Sequence, residues 1–139
     1  MSAHRLRVRR GMTIIEVMFA IVILAGVMLA MSRFGQAFTR AARDSANLAV
    51  ASDLAAARLE AIRGHTTYTT LVSTYHGTTE TPATSGANPP MTGYTGYTRT
   101  TAAVRTQTDT TDFVTVTVTV SAAVLSRPLK KTAVIAAFR

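Results

Sequence analysis

The chain has 139 residues, enough for one small domain. It contains no cysteine, which excludes disulfides, thiolate metal sites and a lipid-modified cysteine. Fifteen Lys and Arg against seven Asp and Glu give a net charge of +8, a balance that raises nucleic acid or an anionic membrane surface as partners.

The excess is unevenly placed. Arg5, Arg7, Arg9 and Arg10 all stand within residues 1–11; without them 11 basic residues face seven acidic ones, and the net charge falls to +4. Residues 1–11 therefore read as a basic leader. The first 63 residues hold no proline, whereas the Thr-rich remainder holds all four. That shift predicts a long helix first, then strands and loops.

Met12 to Met31 is an apolar run of 20 residues with a single charge, Glu16. At a rise of about 1.5 Å per residue it spans roughly 30 Å, the thickness of a bilayer's hydrocarbon core. The arginines before it hold the N-terminus on the cytoplasmic side and send the rest of the chain outward. An ordinary secretory signal fits poorly, because the run exceeds the usual apolar length and carries a carboxylate near its start. An uncleaved signal anchor fits better and stays open. A carboxylate inside a membrane segment costs at least about 2.5 kcal/mol on insertion scales. Near its end of the helix Glu16 can reach the headgroups or meet the positive end of the helix dipole. That explains why Glu16 is tolerated but not the arrangement around it.

The arrangement is a short basic leader, a glycine, a hydrophobic residue and a glutamate five positions after the glycine, RRG-MTIIEVMFAIVILAGVML. It closely resembles the class III signal of type IV pilins and type II secretion pseudopilins. In that family a membrane-embedded prepilin peptidase cuts after the glycine and methylates the new amino terminus. The resemblance implies that Gly11 precedes the scissile bond, that Met12 is the first mature residue, and that Glu16 is the family's fifth-position glutamate. Major pilins usually carry Phe where this chain has Met12, while minor members vary there. In a filament the glutamate of one subunit is thought to meet the new amine of a neighbour. Such a pair sets axial register more than it adds stability.

Beyond Met31 the apolar and small residues Phe34, Phe38, Ala41, Ser45, Leu48, Ser52, Ala55, Leu59 and Ile62 keep helical spacing, with Arg40, Arg43, Asp44, Asp53, Arg58 and Glu60 off the stripe. Arg63-Gly64 reads as the stop, with glycine in a left-handed cap. A helix from Met12 to Arg63 is about 78 Å long, and its small residues suit packing against a sheet better than a coiled coil. Gly26 marks a soft point inside the apolar half. The region resembles minor pilins and minor pseudopilins.

Residues 65 to 93 read as a loop with one short strand at Tyr68 to Val72; Pro82, Pro89 and Pro90 with Gly77, Gly86 and Gly93 argue against further regular structure. Tyr94 to Arg105 reads as a strand, followed by a turn at Thr106 to Asp112. Phe113 to Val120, FVTVTVTV, alternates strictly and predicts a half-buried strand with valines inward. A turn at Ser126 to Lys131 leads to a last strand at Thr132 to Phe138. Short connections imply an antiparallel meander whose valine face covers the outer half of the helix. The fold class expected is α+β: basic leader 1–11, transmembrane and assembly half 12–31, amphipathic helix half 32–63, and loop plus small sheet 64–139.

No catalytic set emerges. His4 is in the leader, His65 and His76 sit in Thr-rich surroundings, and there is no zinc motif, phosphate loop or Ser-His-Asp arrangement. Asp109 and Asp112 form a weak calcium pattern and a better turn. No cofactor is expected. DNA is the second partner class to weigh: Arg99, Arg105, Arg127, Lys130, Lys131 and Arg139 supply charge, with Arg127, Lys130 and Lys131 the densest group and Tyr94 and Tyr97 available for stacking. The resemblance implies a non-enzymatic structural subunit, a minor pilin or minor pseudopilin at or near a filament tip. Its implied partners are other pilin or pseudopilin subunits, prepilin peptidase, an inner-membrane assembly platform and membrane lipid. Its implied location is the bacterial inner membrane, with the N-terminus cytoplasmic and the C-terminal part periplasmic, and then a filament. The alternatives are a major pilin, a signal-anchored protein that never assembles and a DNA-binding minor pilin.

Overall fold

A computed structural model describes residues 12–137. The leader, Gly11, Phe138 and Arg139 lie outside the described residues. Helix α1 runs unbroken from Ile14 to Arg63, a length of about 75 Å, and Gly26 does not interrupt it. A 3-10 turn at Tyr68–Thr70 leads into the short helix α2, Leu71–Tyr75. Four strands follow: β1 Thr78–Glu80, β2 Tyr97–Gln107, β3 Asp112–Ala122 and β4 Leu129–Ala136. They form one antiparallel sheet in the order β1-β2-β3-β4. The fold is α+β, a long N-terminal helix with a four-stranded antiparallel meander, consistent with a pilin-like description. Internal contacts divide it into two units, one ending at Ala41 and one beginning at Ala42.

In the second unit the core is laid down by two periodicities. Along α1, Ala51, Leu54, Ala55, Arg58, Leu59 and Ile62 are buried, the three-and-four spacing of one helix face. On β3, Val114, Val116, Val118 and Val120 are each 0% exposed, while the intervening threonines are half-buried. Apart from Arg58, both sets belong to a single apolar cluster with Leu71, Tyr75, Met91, Tyr97, Ala103 and Ala133. Each fully buried valine contributes about 2 kcal/mol.

Several expectations are corrected. Tyr68 to Val72 is helical rather than extended, because Leu71 and Tyr75, four apart, both enter the core. The hydroxyls of Thr70 and Ser73 bond back to the carbonyls of Thr67 and Thr70, each at 3.0 Å, and close the local turns. Gly77 adopts φ +74° and donates its N–H to the Thr101 carbonyl at 2.9 Å. That turn lets β1 form where a loop is expected. Gly64 ends α1 as expected, its N–H reaching the Glu60 carbonyl at 3.0 Å, but its φ is not left-handed. β2 and β4 begin and end two to three residues away from the expected positions, at Tyr97–Gln107 and Leu129–Ala136.

The largest correction concerns charge. Arg58, expected on the solvated side of α1, and Arg99, expected as surface charge, are 3% and 0% exposed. Both meet Glu80. Its Oε1 lies 3.1 Å from Arg58 Nη1 and its Oε2 lies 2.7 Å from Arg99 Nη2. The remaining donors hold the Pro-rich loop and the sheet. Arg58 donates to the Asn88 carbonyl and, at 3.3 Å each, to the hydroxyls of Thr101 and Thr78. Arg99 donates to the Pro89 carbonyl at 2.8 Å and to the Leu54 carbonyl at 3.3 Å. Among the described residues no buried side-chain nitrogen or oxygen lacks a partner, as burial of charge requires. Burial lowers the Arg58 guanidinium below its ordinary value; Glu80 opposes that shift and Arg99 adds to it. The guanidinium also lies 5.0 Å from the centre of the Tyr75 ring. This cluster joins helix, sheet and loop at one point.

Candidate functional site

The first unit carries the N-terminal candidate residues. Thr13 is the last residue before α1, and both its carbonyl and its Oγ1 accept from the Glu16 N–H, at 3.1 and 3.3 Å. That is the side-chain half of a capping box, with Glu16 at its third helical position. Thr13 is not singled out by the spacing argument, although threonine three residues before glutamate is the sequence signature of this cap. Glu16 sits in the first turn, where the positive end of the helix dipole favours a carboxylate. Met12 is 68% exposed just ahead of the cap. Gly11, the other half of the expected processing site, lies outside the described residues.

Every residue from Met12 to Ala46 is exposed, including Ile14 at 83%, Phe34 at 74% and Phe38 at 67%. The mean hydropathy of the most apolar stretch of α1 reaches 2.7 with none of it buried. Side chains of Ile15, Met18, Phe19 and Val22 flank an apolar hollow of about 240 Å³ on this surface. Soluble monomers rarely expose so continuous an apolar surface. This is one helix long and apolar enough to cross a membrane.

The basic residues weighed for DNA do not gather on one surface. Arg99 is buried on Glu80, and Tyr97 is 8% exposed within the core. Arg105 is bound to Asp112 through two donors, at 2.8 and 2.5 Å. That pairing raises its already high pKa. The Asp112 carboxylate also accepts from the Tyr68 hydroxyl at 2.9 Å; partial burial, followed by this contact, raises the phenol above its ordinary range. Asp112 thus works as an anchor for the turn, the simpler of its two expected roles. Lys130 and Lys131 point to opposite faces of β4, because side chains alternate along a strand. Arg127 and Lys130 border one hollow of about 310 Å³ beside Leu48, Pro128 and Leu129. Lys131 borders another, of about 280 Å³, beside Ala56, Leu59, Glu60 and Arg63. Arg139 lies outside the described residues.

The two described histidines, His65 and His76, are used locally. His65 contacts the hydroxyls of Thr70 and Tyr75 at 3.0 and 3.3 Å, and His76 Nδ1 accepts from the Ala103 N–H at 3.3 Å. Among the described residues no group of three or more His, Asp or Glu is placed to hold a metal ion. No model of a known protein family matches the chain, and no characterised protein or solved structure matches it either.

Proposed function

We propose that the chain is a structural subunit of a type IV pilus or type II secretion pseudopilus, a minor component that starts or tips the filament. The observation that carries this reading is the exposed half of α1, an apolar helix led by a capped carboxylate, in a chain whose second unit builds a core of its own. Only lipid or a bundle of like helices relieves such a surface of water. Both are required of a subunit stored in a membrane and then drawn into a filament. Prepilin peptidase cuts between Gly11 and Met12, and the N-terminal amine of Met12 is methylated. The precursor crosses the bacterial inner membrane once, with residues 1–11 cytoplasmic and the sheet periplasmic. An assembly platform in that membrane then delivers it to other pilin or pseudopilin subunits, where Glu16 neutralises a neighbour's amine. A nucleic-acid role draws less support, since Arg99 and Arg105 are already paired and Lys130 and Lys131 face apart.

Mass spectrometry of the membrane-extracted protein tests the reading. A mature chain beginning at Met12 and heavier by one methyl group is expected in cells with active prepilin peptidase. A bulky residue at position 11 blocks the cut. Recovery of the full-length chain alone from such cells identifies an uncleaved anchor instead.

A further inference from the structure

One edge of the sheet, along β4, carries a second, independent surface. Among the described residues β4 pairs with β3 alone, so its other edge presents unpaired backbone N–H and C=O groups over eight residues. Alongside it, one flank of α1 is left partly uncovered. Leu48 remains 39% exposed, and Ser52 and Ala56 are only half-buried. Hollows follow one another along this seam: the first between Leu48 and Leu129, the next between Leu59 and Lys131, the third between Ile62 and Ile135. Helix and strand run the same way here. Leu48 to Ile62 covers about 21 Å, and Leu129 to Ala136 about 23 Å. The result is a trough with a backbone edge for one wall and, for the other, a helix flank of small and apolar residues from Leu48 to Ala56 that ends in the charged Glu60 and Arg63.

Charge identifies what fits it. Arg127, Lys130 and Lys131 stand along the strand side and form no ion pair among the described residues. Neither β4 nor the turn before it contains an acidic residue. On the helix side Glu60 is bound to Arg63 at 2.5 Å, which cancels that pair. Two copies joined edge to edge would bring two such basic stretches together, so the charge pattern disfavours self-pairing. We infer that the β4 edge receives an extended acidic segment of a partner protein. It adds as a fifth strand, its inward side chains cover the Leu48–Ala56 flank, and its carboxylates meet Arg127 and Lys130.

The test uses the full chain in detergent micelles and capped octapeptides of alternating residues, glutamate with valine or lysine with valine. Hydrogen–deuterium exchange is read at the amides of Leu129 to Ala136. The glutamate peptide is expected to slow exchange there and to bind about tenfold more tightly than the lysine peptide at low salt. Arg127→Glu with Lys130→Glu, both at exposed positions, reverses that preference while Val114 to Val120 stay protected. Equal binding of the two peptides, or no slowing at β4, overturns the inference. So does concentration-dependent protection of β4 without peptide, which makes a second copy the occupant. Any of these results leaves the processing site and the filament reading untouched.

Discussion

The buried triad makes a quantitative prediction that surface ion pairs do not. Among the described residues Glu80 is the only acid paired with the two buried guanidiniums, whose side chains are 4% and 0% exposed. Glu80→Gln keeps the volume and removes the charge, leaving two cations about which water cannot reorganise. Breaking a buried pair in this way costs about 3–5 kcal/mol. For a unit of this size each kcal/mol lowers Tm by about 4–8 °C, so the expected fall is roughly 12–40 °C. Arg58→Met leaves the opposite remainder, a balanced Arg99–Glu80 pair held at 2.7 and 2.8 Å. It loses the bonds to Thr101, Thr78 and Asn88, a cost of about 1–3 kcal/mol. Urea titration followed by near-ultraviolet tyrosine dichroism measures both variants, since the chain has four tyrosines and no tryptophan. If Glu80→Gln costs less than about 1 kcal/mol, or Arg58→Met costs as much as Glu80→Gln, the charge argument is refuted.

Other outcomes follow from the same geometry. Glu16→Ala makes the apolar run more hydrophobic, so membrane insertion is retained while incorporation into filaments falls; equal incorporation in a filament-pelleting assay removes the register role. The Tyr68 phenol is raised above its ordinary value near 10. The stability this gives is therefore complete below about pH 10 and is lost as pH climbs through the raised value. Tyr68→Phe is expected to cost about 1 kcal/mol at neutral pH and to lose that alkaline step, as read from melting curves between pH 8 and 11. Removal of residues 1–35 deletes the apolar run but leaves the unit that begins at Ala42. The product is expected to sediment as a soluble monomer with mixed helix and strand dichroism, and aggregation would show that the sheet needs more of α1.

What was legible in the sequence was what repeats. The 20-residue apolar run and the Val-Thr alternation of β3 announce their elements because period and residue type agree over several turns or pairs. Elements made by distant partners left no such trace. β1 is three residues long and is placed by Glu80 meeting Arg99 across the register, a pairing that no local window contains. The missed arginines are more instructive. Arg58 lies four residues after Leu54 and four before Ile62, and Arg99 alternates with Tyr97, Thr101 and Ala103. Both positions belong to the inward frame of their element. Sorting residues by charge put them on the surface; sorting by frame puts them inside and demands a counter-ion. The same rule separates the two lysines of β4. Lys131 shares its frame with Leu129, Ala133 and Ile135 and is half-buried beside the helix flank, while Lys130 shares its frame with the exposed Thr132 and Val134. Adjacent basic residues in a strand are therefore two half-sites on two faces, and a ligand that reaches both must approach along the edge.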